Sequence, residues 1–221
     1  MSRRDEKAAG IETRYFLPKI EMRSVATGAT EFRGYATAYE EWYDVAGGPE
    51  AGGWRERITE RASKKTLSGK PDVRLLIDHN PTLVLARTKS KTLSLEEDGA
   101  GLMAYAPSLD MRDPDALSVS VKVERGDVDS MSLGFLPIKQ GWNKDYTERT
   151  ISEIDLSIPG SDVSIVTFPA NPAAIATMRA VVFIDGRCVD LAEMRADKAP
   201  SVHVLSLTVA KAIREQIRHV A

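Results

Sequence analysis

A chain of 221 residues can bury a substantial core in one or at most two domains, and 43% hydrophobic against 28% charged residues excludes the composition of a disordered chain. A formal net charge of −2 argues against the clustered positive surface that a nucleic-acid partner requires. No window reaches the ~20 apolar residues of a membrane span, so neither nucleic acid nor membrane is expected as a partner.

Residues 1–13 (MSRRDEKAAGIET) are polar and small and read as a mobile leader without the apolar core of a signal peptide, with ordered structure expected from near Arg14. From Phe32 to Tyr39, FRGYATAY alternates as a half-buried strand does. The following AGGPEAGG lacks the Lys-Ser/Thr of a phosphate-binding loop and the strand-to-helix setting of a dinucleotide fingerprint, and reads as a flexible loop. WRERITERASKKTL, Trp54 to Leu67, is rich in helix formers with Ile58, Ala62 and Leu67 toward one side, and it ends at Ser68-Gly69-Lys70-Pro71; a helix is predicted there. Short β-like runs follow from Val73 (VRLLI), Leu83 (LVLA), Lys91 (KTLSLEED) and Gly101 (GLMAYAP), separated by turn residues such as Asn80-Pro81 and Asp98-Gly99. Strands so short and so spaced suggest a barrel or sandwich.

Asp113-Pro114 reads as an N-cap followed by proline at the first helical position. It opens a predicted helix over Asp115 to Glu124, with Leu117 and Val121 facing inward and Arg125-Gly126-Asp127 closing it. Three more strands are predicted from Val128 (VDSMSLGFLPI), Arg149 (RTISEIDL) and Ser161 (SDVSIVTF), until the prolines of FPANPAA stop regular pairing. Beyond Ala180, VVFIDGRCVDL reads as a hairpin around Asp185-Gly186. After the polar MRADKAPS comes an amphipathic helix, Val202 to Val220, with Leu205, Val209, Ile213 and Ile217 at helical spacing. The chain thus divides into a leader (1–13), a main domain (14–180) and a C-terminal hairpin and helix (181–221). Its one cysteine, Cys188, excludes an intrachain disulfide and fits a reducing, cytosolic compartment.

Of the three histidines, His203 and His219 fall in the C-terminal helix and read as solvated. His79 emerges from a strand into a turn (LLIDHN), where a ring can be fixed yet open on one face, as a proton-transferring base needs; a surface histidine beside Asp78 fits the same residues. Ser132, in Asp129-Ser130-Met131-Ser132-Leu133-Gly134-Phe135, lies on a predicted strand, and the missing side chain at Gly134 is expected to leave room for a substrate carbonyl. An ordinary strand serine is the alternative, since Gly-x-Ser-x-Gly is absent. Asp162, entering an apolar strand, is placed either to orient an imidazole or to serve as a cap or edge charge, with Glu153 and Asp155 as rivals. Histidine and cysteine are too sparse for a transition-metal ligand set. An oxygen-only magnesium or calcium site stays open, but no metal and no cofactor is expected.

Taken together, FRGYA, Asp78-His79 at a strand end, the short Gly99–Gly101 element before an apolar strand, Met131-Ser132-Leu133-Gly134-Phe135 and DVSIVTFPANPAA resemble the prohead maturation proteases of tailed bacteriophages (caudoviruses), from about Ile20 to Arg179. The resemblance implies a serine protease similar in fold to herpesvirus assemblin: a mainly β chain with flanking helices (α+β), built as a β-barrel surrounded by helices. It implies Ser132 as nucleophile, His79 as general base and Asp162 as the acidic third member. The family more often has Glu there, and Ile158-Pro159-Gly160-Ser161 is inserted just before it, so Glu153 stays in reserve. Implied substrates are scaffolding protein, the scaffolding segment of the major capsid protein, or both, cut inside the assembling procapsid in the host cytoplasm, together with the protease itself. The portal and a second copy, as a homodimer, are further implied partners. The 181–221 segment is then a self-cleaved extension, a peg docked to the shell, or a helix packed on its own barrel. The assemblin relatives use an arginine-containing loop after the third member where this chain has FPANPAA, so no oxyanion residue is assigned. A catalytically inactive assembly protein that keeps the barrel to bind scaffold or portal is the alternative from another class.

Overall fold

A computed structural model describes residues 10–16, 20–25, 29–167, 181–184 and 187–190. Alternating apolar and polar side chains carry most of these into strands: β1 (Glu12–Phe16), β2 (Glu21–Ser24), β3 (Ala29–Ala38), β4 (Tyr43–Val45) and β5 (Trp54–Ile58) come first, followed by a short helix α1 (Lys64–Ser68). Then come β6 (Arg74–Ile77), β7 (Asn80–Arg87), β8 (Ser94–Glu97), β9 (Gly101–Asp110), helix α2 (Pro114–Arg125), β10 (Ser130–Trp142), β11 (Glu148–Asp155), β12 (Asp162–Val166), β13 (Val181–Ile184) and β14 (Arg187–Asp190). The chain is mainly β, as expected, but the expected closed barrel is not formed among the described residues. Instead β4-β5-β11-β10-β12-β6-β7 make one mixed sheet with β1 branching from β10, while β2-β3-β9-β8 make a separate sheet. The long β3–β9 pair leaves the large sheet and packs as its own layer across β1 and β10. The two layers meet at the glycine of FRGYA, since a Cβ on Gly34 would fall 2.4 Å from Met131 Sδ. Among the described residues no helix is long and apolar enough to cross a membrane.

The predicted helix over Trp54 to Leu67 is a strand followed by one turn of helix. Trp54, Glu56 and Ile58 are buried and Arg55 is exposed, a period of two. Helix formers mislead here because Glu56, which reads as a surface charge, points into the core. Helix α2 starts as predicted, with the Asp113 carboxylate accepting from the Asp115 N–H (2.9 Å) and Pro114 at the first position. Its inward face, however, is Ala116 and Val119, and the expected Leu117 and Val121 are 48% and 40% exposed. The β13–β14 hairpin pairs Ile184 with Arg187, whereas the helix expected over 202–220 lies outside the described residues. The first strand begins at Glu12, inside the expected leader.

Fully buried Glu56 accepts hydrogen bonds from Arg14 (2.6 and 3.1 Å), the Tyr43 hydroxyl (2.7 Å), Trp54 Nε1 (3.2 Å) and Arg149 (2.9 Å). Arg149, itself buried, also donates to Glu12 (2.6 and 2.9 Å) and Gln140 (2.5 Å). Burial, the largest single influence, works to raise the Glu56 pKa, but the Arg14 and Arg149 guanidiniums outweigh it and carry it from 4.5 down to about 2; Glu12 is lowered beside the same cations. An acid with a depressed folded pKa stabilises the fold above its unfolded pKa and loses that contribution on protonation. The urea midpoint is therefore expected to hold at neutral pH and to fall as pH drops from 4.5 toward 2. A midpoint that rises over that window would contradict the ion cluster.

Candidate active site

Pairing of Ile77 with Asn80 leaves Asp78 and His79 as a two-residue hairpin loop between β6 and β7. Both have positive φ (50° and 55°), the requirement of a type I′ turn, whose preferred residues are Asn-Gly. Side chains in this left-handed region cost about 1–2 kcal/mol each, so the turn must be held from outside. Strand β12 and Thr167 just after it hold the turn. Asp78 N–H donates to Ile165 O (2.9 Å), the Asp78 carboxylate accepts from Thr167 N–H (2.9 Å) and the Thr167 hydroxyl (3.2 Å), and His79 N–H donates to Ser164 Oγ (3.2 Å).

The antiparallel register of β10 with β12 sets Ser132 opposite Ser164 and Gly134 opposite Asp162. With side chains alternating along a strand, these four positions share one face of the sheet, while Met131, Leu133 and Phe135 fill the core on the other. His79 lies over that face. Its Nε2 is 2.5 Å from Ser132 Oγ, and its Nδ1 is 2.8 and 3.0 Å from the two Asp162 oxygens. The three residues singled out in the sequence are thus in one hydrogen-bonded line. A carboxylate only accepts, so Nδ1 carries the ring proton and Nε2 offers a lone pair to the serine hydroxyl. A hydroxyl against a ring nitrogen whose partner nitrogen is held by an acid is the layout of an activated nucleophile.

Gly134 does something other than expected. The space beside it is not left for a substrate carbonyl but is filled by the acid: a Cβ there would lie 2.6 Å from Asp162 Oδ1. Gly134→Ala is expected to push the carboxylate off the imidazole and lower kcat on a peptide substrate by about 10²-fold, the scale of an ~1 Å misplacement. Circular dichroism should stay unchanged, and full activity in the alanine variant would contradict this role.

Ser164 was not singled out by sequence reading, yet it accepts from the His79 backbone and donates to Asp162 Oδ2 (2.5 Å), bracing the acid and the turn together. The signal lay in its spacing, since Asp162 and Ser164 are two apart on a strand and share a face. The reserve Glu153 is engaged elsewhere, on β11, in ion pairs with Lys65 (2.7 Å) and Lys139 (2.9 Å), and the lysine contacts lower its pKa. Asp155 accepts from the Thr66 hydroxyl and Ser157 N–H. Also unforeseen is β1, whose Arg14 carbonyl oxygen lies 3.0 Å from Ser132 Oγ. Ser132 is 0% exposed and Asp162 5%.

The family of caudovirus prohead serine proteases matches this chain over residues 18–183. Among solved structures, the capsid assembly protease of bacteriophage T4 is similar at 10% identity, over 70% of this chain and 97% of that one, with a TM-score of 0.47. No curated protein matches the chain.

Proposed function

Because the chain belongs to the caudovirus prohead serine protease family, we propose that it is an endopeptidase acting through Ser132, His79 and Asp162 on scaffolding protein, the scaffolding segment of the major capsid protein, or both. The observation that carries this reading is the line from Ser132 Oγ through the imidazole to the Asp162 carboxylate, at 2.5 and 2.8 Å. In the reaction, His79 Nε2 takes the hydroxyl proton as Oγ attacks the peptide carbonyl carbon, and passes it to the departing amine. A water deprotonated by the same nitrogen then hydrolyses the acyl-serine. Asp162 keeps Nδ1–H directed and stabilises the ring when it is cationic, and Ser164 fixes the carboxylate. General-base transfer of this kind contributes typically ~10²- to 10⁴-fold.

In this reading the enzyme works inside the assembling procapsid in the host cytoplasm, and residues 181–221 are an extension that it removes from itself or that docks it to the shell. The portal and a second copy of the chain are its further partners. The test is co-expression with the cognate capsid and scaffolding proteins. The wild type is expected to shorten them on a gel, and Ser132→Ala and His79→Ala are expected to leave them intact. Equal processing by all three would sink the assignment.

A further inference from the structure

The hydroxyl placed for attack has no exposed surface, and besides the His79 ring it meets the chain's own first strand, through the Arg14 carbonyl oxygen. Along residues 130–134, β12 occupies one edge of β10; β1 takes the opposite edge along 131–135, with Tyr15 paired to Ser132 and Arg14 to Leu133. Strand β1 lies N-terminal to the segment that matches the protease family. Without it, β10 would present a five-residue open edge directly beside Ser132, the surface to which extended peptides add by backbone pairing.

Two groups of Arg14 meet two parts of the site. Its carbonyl oxygen lies at Ser132 Oγ, and its guanidinium enters a pocket where Glu56 receives it through two hydrogen bonds and the Trp54 and Phe135 rings lie about 6 Å away. A residue whose carbonyl reaches the nucleophile while its side chain fills an acid-floored pocket has the placement of the residue before a scissile bond. Two residues earlier, Glu12 pairs with Arg149. The Arg14 carbonyl oxygen accepts from the Ser132 hydroxyl and so competes with His79 Nε2 for that hydroxyl's single proton, a contact suited to holding the serine inactive. Withdrawal of β1 takes away one acid and one base. Glu56 then keeps Arg149, Tyr43 and Trp54, and Arg149 keeps Gln140, so no buried charge is left unpaired and the lane can stay formed.

We propose that the edge of β10 covered by β1 is the substrate lane, that residues 12–16 occupy it as an inhibitory stand-in, and that the Glu56 pocket selects peptides with a basic side chain immediately before the scissile bond and an acidic one two residues earlier. This rests on Ser132 being the nucleophile.

The test treats full-length wild type, Arg14→Glu and Glu12→Lys with a fluorophosphonate that phosphonylates accessible nucleophilic serines, and maps the label. It also follows hydrolysis of the aminocoumarin peptides Glu-Thr-Arg, Glu-Thr-Ala and Glu-Thr-Glu. Both variants place like charges against Glu56 or Arg149 and are expected to label at Ser132 at least ~10-fold faster than wild type, and to cut the arginyl peptide at least ~10-fold faster than the other two. In the wild type, where no variant's folding is in question, labelling is expected to expose the amides of residues 12–16 to hydrogen exchange. Equal labelling rates in all three chains, or unchanged exchange after labelling, overturns the lane. Label on Ser132 without an arginine preference overturns the pocket. A folded variant that takes no label at Ser132 brings down the nucleophile assignment and this proposal together.

Discussion

Asp162→Asn is expected to lower kcat on a cleavable peptide by about 10⁴-fold while leaving the melting temperature close to that of the wild type. The replacement keeps size and shape, so Gly134 still accommodates it and Ser164 can still donate to its carbonyl oxygen. What changes is the tautomer. An amide nitrogen turned toward His79 Nδ1 donates rather than accepts, the ring proton moves to Nε2, and the nitrogen 2.5 Å from Ser132 Oγ no longer has a lone pair to receive the hydroxyl proton. The companion variant is Glu153→Gln, whose side chain is held by Lys65 and Lys139 at the surface; its kcat is expected to stay within about 2-fold of wild type. A smaller loss at Asp162 than at Glu153 would reverse the assignment of the acid.

Glu56→Ala is expected to destabilise the fold by about 3–5 kcal/mol, the cost of removing one partner from a buried ion cluster. For a chain of this size that lowers the melting temperature by roughly 6–20 °C. Two guanidiniums would be left with Glu12 as their remaining carboxylate, and the Tyr43 hydroxyl and Trp54 N–H would lose their acceptor in a buried pocket. Glu56→Gln keeps an acceptor for those two groups and is expected to lose clearly less. Equal melting temperatures for the alanine variant and wild type would mean that the cluster is not buried as described.

Much of this architecture follows from local pattern. The strands from Val73, Gly101, Val128, Arg149 and Ser161 stand within about two residues of where their β-like runs put them, and the Asp113-Pro114 signal opens a helix. Ser132, His79 and Asp162 converge although 53 and 83 residues separate the bonded pairs, and they were found through the motifs around them rather than through any period. Collective burial was illegible. Arg14, Glu56 and Arg149 are buried and Glu12 is half-buried because the four pair with one another across β1, β5 and β11. With that burial hidden, β5 reads as a helix, and β1 starts two residues before the expected onset of structure at Arg14. The barrel failed for a related reason: alternation tells which residues face inward, but not which layer a strand joins, and β3 and β9 form a layer of their own. On α2 size is a poor guide to the inward face: Ala116 and Val119 are buried while the larger Leu117 is 48% exposed.

With His79 as the proposed base, its turn sets heat resistance against turnover. Asp78 and His79 both sit at backbone angles that Asn-Gly would adopt with less strain, so a library selected only for survival on heating would be drawn to a glycine at position 79. Each such clone would shed the strain of the turn and lose its proton acceptor. Histidine at the second position of a tight hairpin is thus a standing cost that only a demand for chemistry maintains, and lineages released from that demand would be expected to give up this residue early.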